Sequence, residues 1–304
     1  MNKLKKVGLT ALATTLVASS AYAGEMSVSG SASLNYSGIS TSSGANPWTM
    51  GDSVTFSGGG DLDNGMTVGV SYELDGGNYD DYKLTLGLGD DLGTITFSGN
   101  SVNAGGVDTV KDIVPTAYTP VYENADGTDN GLATTSGRST TGMWGYAYDG
   151  LDGFAISLGY NPQPAAGAES ESSIGIKYTG LMDGLMIAAG RMDDGTVAEN
   201  DTYGIKYTMG SITAAYQRTD VDYDSTGTND QSSTHMGVSI AVNENLSVSA
   251  GRMDVEIDTA SDDEENTGLN ASYTMGSITL GGGFNSVKNI SGSNGSDAEV
   301  AMFN

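Results

Sequence analysis

From Gly24 onward, apolar and small polar residues alternate almost one for one through sixteen short segments. A strand turns successive side chains to opposite faces, so a period of two describes strands with one apolar and one polar face. In the first segment Met26, Val28, Ala32, Leu34 and Tyr36 oppose Ser27, Ser29, Ser31, Ser33 and Asn35. In the third, Met66, Val68, Val70, Tyr72 and Leu74 alternate with Thr67, Gly69, Ser71 and Glu73, and the pattern continues to a last stub at Ala298–Asn304. No stretch approaches the ~18 apolar residues of a membrane helix. Cysteine is absent, so the ladders and their packing must supply the stability.

The connections divide into two kinds. Residues 62–65, 89–93, 149–153, 180–184, 209–211, 243–245 and 275–277 are tight and rich in Gly, Asn or Asp, which tolerate positive φ. Between them lie the longer, acid-rich stretches 37–51, 161–170, 219–231, 257–266 and 285–297. A soluble sheet alternates too, but sixteen strands with an aliphatic and aromatic face would need a second apolar surface to cover them. Closing the sheet on itself removes the edges and turns that face to lipid. The expectation is an all-β, antiparallel transmembrane barrel of about sixteen strands, with every short turn on the periplasmic side and every long loop outside. At this strand number the lumen holds water. Tyr178, Tyr207 and Tyr273 precede short turns, while Tyr36, Tyr72, Tyr160, Tyr203 and Phe284 lie near the loops, as two interfacial belts require.

Residues 1–23 have the layout of a secretory signal peptide: Lys3, Lys5 and Lys6, a short apolar run, then Ala21-Tyr22-Ala23 before a cut at Gly24. Export places the barrel domain, 24–304, in a bacterial outer membrane. That domain keeps nine basic residues against 38 acidic ones, a formal charge of −29. Two short motifs recur within it: Tyr207–Thr213 reads YTMGSIT, as does Tyr273–Thr279, and Gly190–Asp193 reads GRMD, as does Gly251–Asp254. The irregular spacing fits duplicated hairpins better than a solenoid.

The hairpin Phe56–Gly65 (FSGGGDLDNG) running into Met66–Leu74, together with Asp91–Gly99 (DLGTITFSG), resembles the general, trimeric porins of Gram-negative bacteria, the alphaproteobacterial type most. The resemblance implies a homotrimer, passive passage of small hydrophilic solutes and ions, and a connection after the fifth strand that folds back to narrow the lumen. It also implies a final strand continuing past Phe303-Asn304 to an aromatic end, so the last strand is expected to be truncated here.

That connection, Asn100 to about Thr140, carries Asp108, Asp112, Glu123, Asp126 and Asp129 against Lys111 and Arg138. A loop of this length is uncommon unless functional. Lys83, Lys177 and Lys206 alternate with outward residues and so point inward, since lysines in mid-membrane lipid would cost ~2–4 kcal/mol each. Loop acids facing wall lysines are expected to set a transverse field at the constriction, with cations preferred overall. Arg191, Arg218 and Arg252 each stand six positions after the first outward residue of their strand. Parity points them outward to snorkel toward outer-leaflet lipid and lipopolysaccharide, unless a bulge turns them in.

The residues argue against other chemistry. His235 is the single histidine and is placed at a strand start, and no Gly-x-Ser-x-Gly elbow is present, so no catalytic or cofactor-binding residue is assigned. Asp262–Glu265 would hold Ca²⁺ only weakly and reads better as a solvated charge run, leaving no metal site. No basic stripe exists for nucleic acid. A barrel-embedded outer-membrane enzyme and a surface adhesin remain as alternative functions.

Overall fold

The structure, a computed structural model, describes residues 26–39, 46–89, 91–100, 105–122, 141–163, 169–195, 198–224 and 229–304. Residues 1–23, the expected signal peptide, lie outside the described residues, as do Glu123, Asp126, Asp129 and Arg138. Sixteen strands follow one another: β1 (Met26–Ile39), β2 (Trp48–Asp61), β3 (Thr67–Asp75), β4 (Asn78–Gly87), β5 (Thr94–Asn100), β6 (Met143–Leu151), β7 (Phe154–Asn161) and β8 (Glu171–Tyr178). The second half holds β9 (Leu185–Asp193), β10 (Ala198–Met209), β11 (Ile212–Tyr223), β12 (Gln231–Ala241), β13 (Leu246–Ile257), β14 (Glu264–Met275), β15 (Ile278–Lys288) and β16 (Ala298–Phe303). Each pairs antiparallel with its sequence neighbours, and β16 pairs with β1 across Tyr36–Ile39 to close the barrel. No helix among the described residues is long and apolar enough to cross a membrane.

The short turns fall where Gly, Asn and Asp permit them. The two YTMGSIT copies fold alike: Gly210 and Gly276 take positive φ, and the flanking threonines join across the hairpin, Thr208 to Thr213 at 3.1 Å and Thr274 to Thr279 at 3.0 Å. The expected division of loops fails at two places, the first being the connection of only four residues, 194–197, between β9 and β10. β3 and β4 meet on the long-loop side through a two-residue turn, Gly76-Gly77, both at positive φ. Two successive residues with φ > 0 match the twist of a tight hairpin, so the strands continue to their tips.

Strands also run further into the acid-rich stretches than hydrophobicity indicates. β11 reaches Tyr223, β13 Ile257 and β15 Lys288, and His235 sits in the middle of β12 rather than at its start. Along these upper ends the polarity of the two faces inverts. On β13 the outward residues Leu246, Val248 and Ala250 give way to Arg252, Asp254 and Glu256, whereas the inward residues pass from Ser247 and Ser249 to the buried Met253 and Val255. β9 behaves likewise, with outward Arg191 and Asp193 framing inward, buried Met192. The outward face is apolar only where it meets hydrocarbon, where Leu269, Leu280 and Phe284 stay exposed. Above that belt the apolar residues turn inward and build small cores inside the barrel.

Candidate functional site

The described part of the connection from β5 to β6, residues 105–122, enters the lumen and lies along its wall. A 3₁₀ turn at Gly106–Thr109 packs on β7, β8 and β9, and the segment then continues past β10 to β15. Its sequence is two-sided. Val107, Val110, Ile113, Val114 and Val121 are buried against the wall, while Asp108, Thr109, Lys111, Asp112 and Thr116 keep exposure to the lumen. Burying each of those aliphatic side chains contributes about 1.5–3 kcal/mol, enough to hold the segment against the wall.

What receives them is a track of inward glycines: Gly159 (β7), Gly175 (β8), Gly190 (β9), Gly204 (β10), Gly237 (β12), Gly251 (β13), Gly268 (β14) and, on β15, Gly281 and Gly283. A β-carbon at Gly190 would stand 2.6 Å from Val110, one at Gly204 2.6 Å from Ile113, and one at Gly237 2.6 Å from Val114. At Gly175 it would meet the carbonyl of Gly106, and at Gly281 the ring of Tyr118. The absent side chains form a groove that fits the loop.

On β11 the track is interrupted by Gln217, which acts as a clamp. Its Oε1 accepts from the Ile113 N–H at 2.9 Å, and its Nε2 donates to the carbonyls of Val110 at 3.0 Å and Lys111 at 2.5 Å, with Thr202 Oγ1 2.9 Å away. Further along, Ser157 Oγ accepts from Gly106 N–H at 2.8 Å, Ser249 Oγ from Ala117 N–H at 2.8 Å, and Asn285 donates to the Pro120 carbonyl at 2.8 Å. A buried backbone group without a partner costs about 1–3 kcal/mol, so these wall side chains are as necessary to the loop's path as its apolar contacts. His235 lies under the same segment, 3 % exposed, with the Tyr122 ring edge-on at 5.7 Å; the Tyr122 hydroxyl donates to Asp112 at 2.8 Å. The single histidine packs the loop.

The residues singled out from the sequence take distinct places. Asp108 pairs with Lys111 at 2.6 Å and Asp112 with Tyr122, both on the water side of the loop. Lys83, on β4, opposes Ser71 on β3 and Ser98 on β5, away from the strands that the described part of the loop packs on, with Asp81 in its electrostatic neighbourhood. Lys177 and Lys206 oppose inward Ala188 and Met186 on β9, and so face the lumen. They stand one inward step below Gly175 and Gly204, on the wall that carries the loop. Among the described residues they stand beneath Asp108 and Asp112 on the same wall instead of facing them across the lumen, whereas Lys83 stands on a different arc of the wall; Glu123, Asp126 and Asp129 lie outside the described residues.

The three arginines face outward, and their strands pair without register shifts, so no bulge turns them in. Each meets acids on its own rim. Arg191 pairs with Glu199 and, at 3.5 Å, with Asp201; Arg218 with Asp220 at 2.9 Å; Arg252 with Asp254 at 2.8 Å and Glu265 at 3.3 Å. The Asp262–Glu265 run disperses: Asp262 accepts from Asn294, buried Glu264 from Asn266 and Ser291, and Glu265 faces Arg252. Among the described residues no group of three or more acidic or histidine side chains is placed to hold a metal ion.

Sequence reasoning passed over the glycine track, Gln217 and Ser157, although inward glycines recurring on successive strands were the available signal. Comparison with known proteins agrees with this architecture. The family model described as Gram-negative porin matches residues 8–304. A porin solved at 1.8 Å superposes with a TM-score of 0.66 at 17% identity, covering 92% of this chain and 99% of that one. OmpT of Vibrio cholerae, described as outer-membrane expressed, gives 0.63 at 14% identity, with 91% and 96% covered. An anion-selective porin from Comamonas acidovorans gives 0.62 at 15%, with 92% and 98% covered. Among curated protein sequences none matches. At such identities the solved structures speak for the fold alone.

Proposed function

The chain belongs to the Gram-negative porin family, an outer-membrane β-barrel channel, and from that premise we propose that it is a passive diffusion pore for small hydrophilic solutes and ions with a modest preference for cations. The observation that carries the reading is the loop seated in its groove. Its described residues, 105–122, narrow the lumen from the side of β7–β15, and the opposite wall of β1 and β2 carries Ser27, Ser31, Ser53 and Thr55. A water-filled passage edged by hydroxyls admits polar solutes without a dedicated site. Fold and family are those of a channel and not of an enzyme.

The sign of selectivity follows from this chain's own charges. Asp112 borders the passage and the mature chain is acidic throughout, whereas Asp108 and Lys111 offset each other as an ion pair. Lys83, Lys177 and Lys206 offset part of that field, so the preference is small. Acids farther than ~8–10 Å from the ion path are screened at physiological salt. Under a KCl gradient the reversal potential is expected to be cation-selective at low salt and to shrink toward zero in concentrated salt. An anion-selective reversal at both strengths would show that the lysines govern permeation.

Assembly as a homotrimer in contact with outer-leaflet lipid completes the proposal. Because Arg191, Arg218 and Arg252 are each held by neighbouring carboxylates, their contribution to lipopolysaccharide binding is modest, in line with exposed ion pairs worth ~0–1 kcal/mol. Replacing all three with Gln is expected to lower lipopolysaccharide retention severalfold during purification while leaving conductance at the parental value. Unchanged retention would remove them from the lipid contact.

A further inference from the structure

We propose that the niche between the constricting loop and the short-turn ends of β5–β8 binds small dipolar solutes that carry a carboxylate and an ammonium group close together, α-amino acids being the simplest. The proposal rests on the diffusion reading and adds a solute class to it.

The niche is a cavity of about 300 Å³ whose lining includes Thr94, Thr109, Asp149, Ser157 and Lys177. A second cavity of about 360 Å³ shares Asp149, Ala155 and Lys177 with it and extends to Asp152 and Thr179 at the short turns. Lys177 and Asp149 thus face one space, yet among the described residues neither belongs to an ion pair. Two opposite charges that share a cavity without meeting present a fixed dipole to whatever enters. Lys206, two strands further on and opposite Met186, adds a second ammonium beyond Lys177.

The hydroxyls complement the charges. Ser157 Oγ accepts the Gly106 N–H, which leaves its own hydrogen to donate to a carboxylate beside Lys177. Thr109 Oγ1 donates to the Gly106 carbonyl at 2.9 Å, which leaves its lone pairs to accept from an ammonium. A simple anion entering the niche is opposed by Asp149, and a simple cation by Lys177 and Lys206. A zwitterion satisfies both ends at once through charge-assisted hydrogen bonds. The niche is open to water, so the affinity belongs in the millimolar range, suited to capture and release on the way through.

The test uses the full chain in liposomes, with swelling rates recorded for alanine, its anionic isostere lactate and the similarly sized neutral solute glycerol. Alanine should enter roughly two- to threefold faster than glycerol at low concentration, as expected of weak, solvent-exposed charge pairs, and its rate should saturate. Lys177→Met and Asp149→Asn should each bring the alanine-to-glycerol ratio down to one. The exchange Lys177→Asp with Asp149→Lys should restore it, because a zwitterion fits the reversed dipole. Linear alanine entry at the glycerol rate in the parent overturns the site and leaves the diffusion pore standing. So does a ratio that survives both single substitutions, or a lactate rate that saturates like alanine and depends on Lys177 alone. Loss of glycerol entry in the parent overturns the diffusion reading itself.

Discussion

Valine at Gly237 is expected to lower single-channel conductance by roughly a third while the barrel still folds, because overpacking of a seated element costs ~1–3 kcal/mol and the element that can move is the loop. A β-carbon there stands 2.6 Å from Val114 Cγ1, whereas the nearest backbone atoms, the carbonyls of Ala250 and Pro115, are 3.4 Å away. The strand can therefore accept a side chain that the loop cannot. Displacement is possible only toward the lumen, since the wall lies on the other side. The pair Gly237→Ala with Val114→Ala adds one methyl and removes two, among them the Cγ1 that meets it, so the double variant should have most of the parental conductance, a coupling expected of residues in contact. Far-UV circular dichroism and the heat-stable electrophoretic form report the barrel separately. Parental conductance in a folded Gly237→Val protein would mean that the groove does not position the loop.

The barrel was legible in the sequence because the membrane enforces it. Hydrocarbon on one side and water on the other leave an outward Leu246-x-Val248-x-Ala250 no alternative partner, and sixteen such runs in the sequence correspond to sixteen strands. The same reasoning stops at the edge of the hydrocarbon. Beyond Ala250 the backbone ladder continues to Ile257, but the outward residues become Arg252, Asp254 and Glu256, and an apolar criterion reads them as loop. The inward residues in that stretch are apolar, so the alternation persists with its phase exchanged. The repeated GRMD motif marks this exchange. Gly190 and Gly251 are seats for the loop, Arg191 and Arg252 face the rim, Met192 and Met253 fill the interior cores, and Asp193 and Asp254 return to the outside.

The site was less legible, for a different reason. Parity correctly turns Lys177 and Lys206 inward, yet it says nothing about which arc of wall a loop leans against. That is decided by the glycine track and by Val107, Val110 and Ile113, which read individually as unremarkable small and aliphatic residues. Only their coincidence on β7–β15 places the lysines beneath the loop instead of opposite it. Gln217 was invisible for the same cause: a polar residue at an inward position of a barrel is the ordinary case, and nothing local distinguishes a clamp from a solvated side chain.

The same clamp gives the other large effect. Gln217 is 1% exposed and, among the described residues, both accepts from and donates to the loop backbone. Leucine at this position keeps the bulk but leaves the Ile113 N–H and the carbonyls of Val110 and Lys111 without their wall partner, at about 1–3 kcal/mol for each group that finds no water. The loop cannot meet that cost in place, since the seat at Ile113 is dry. It is expected to leave the wall between β9 and β12 and sample several positions, so that channel openings become noisy and a protease cuts within 105–122 where the parent resists. Glutamate at 217 keeps an acceptor for Ile113 but turns a carboxylate toward two carbonyls, so it should behave like leucine. Asparagine keeps both functions on a shorter stem and should retain part of the parental behaviour. Quiet, protease-resistant channels in the folded Gln217→Leu protein would show that the apolar contacts alone hold the loop, and would move the origin of the constriction from the clamp to the groove.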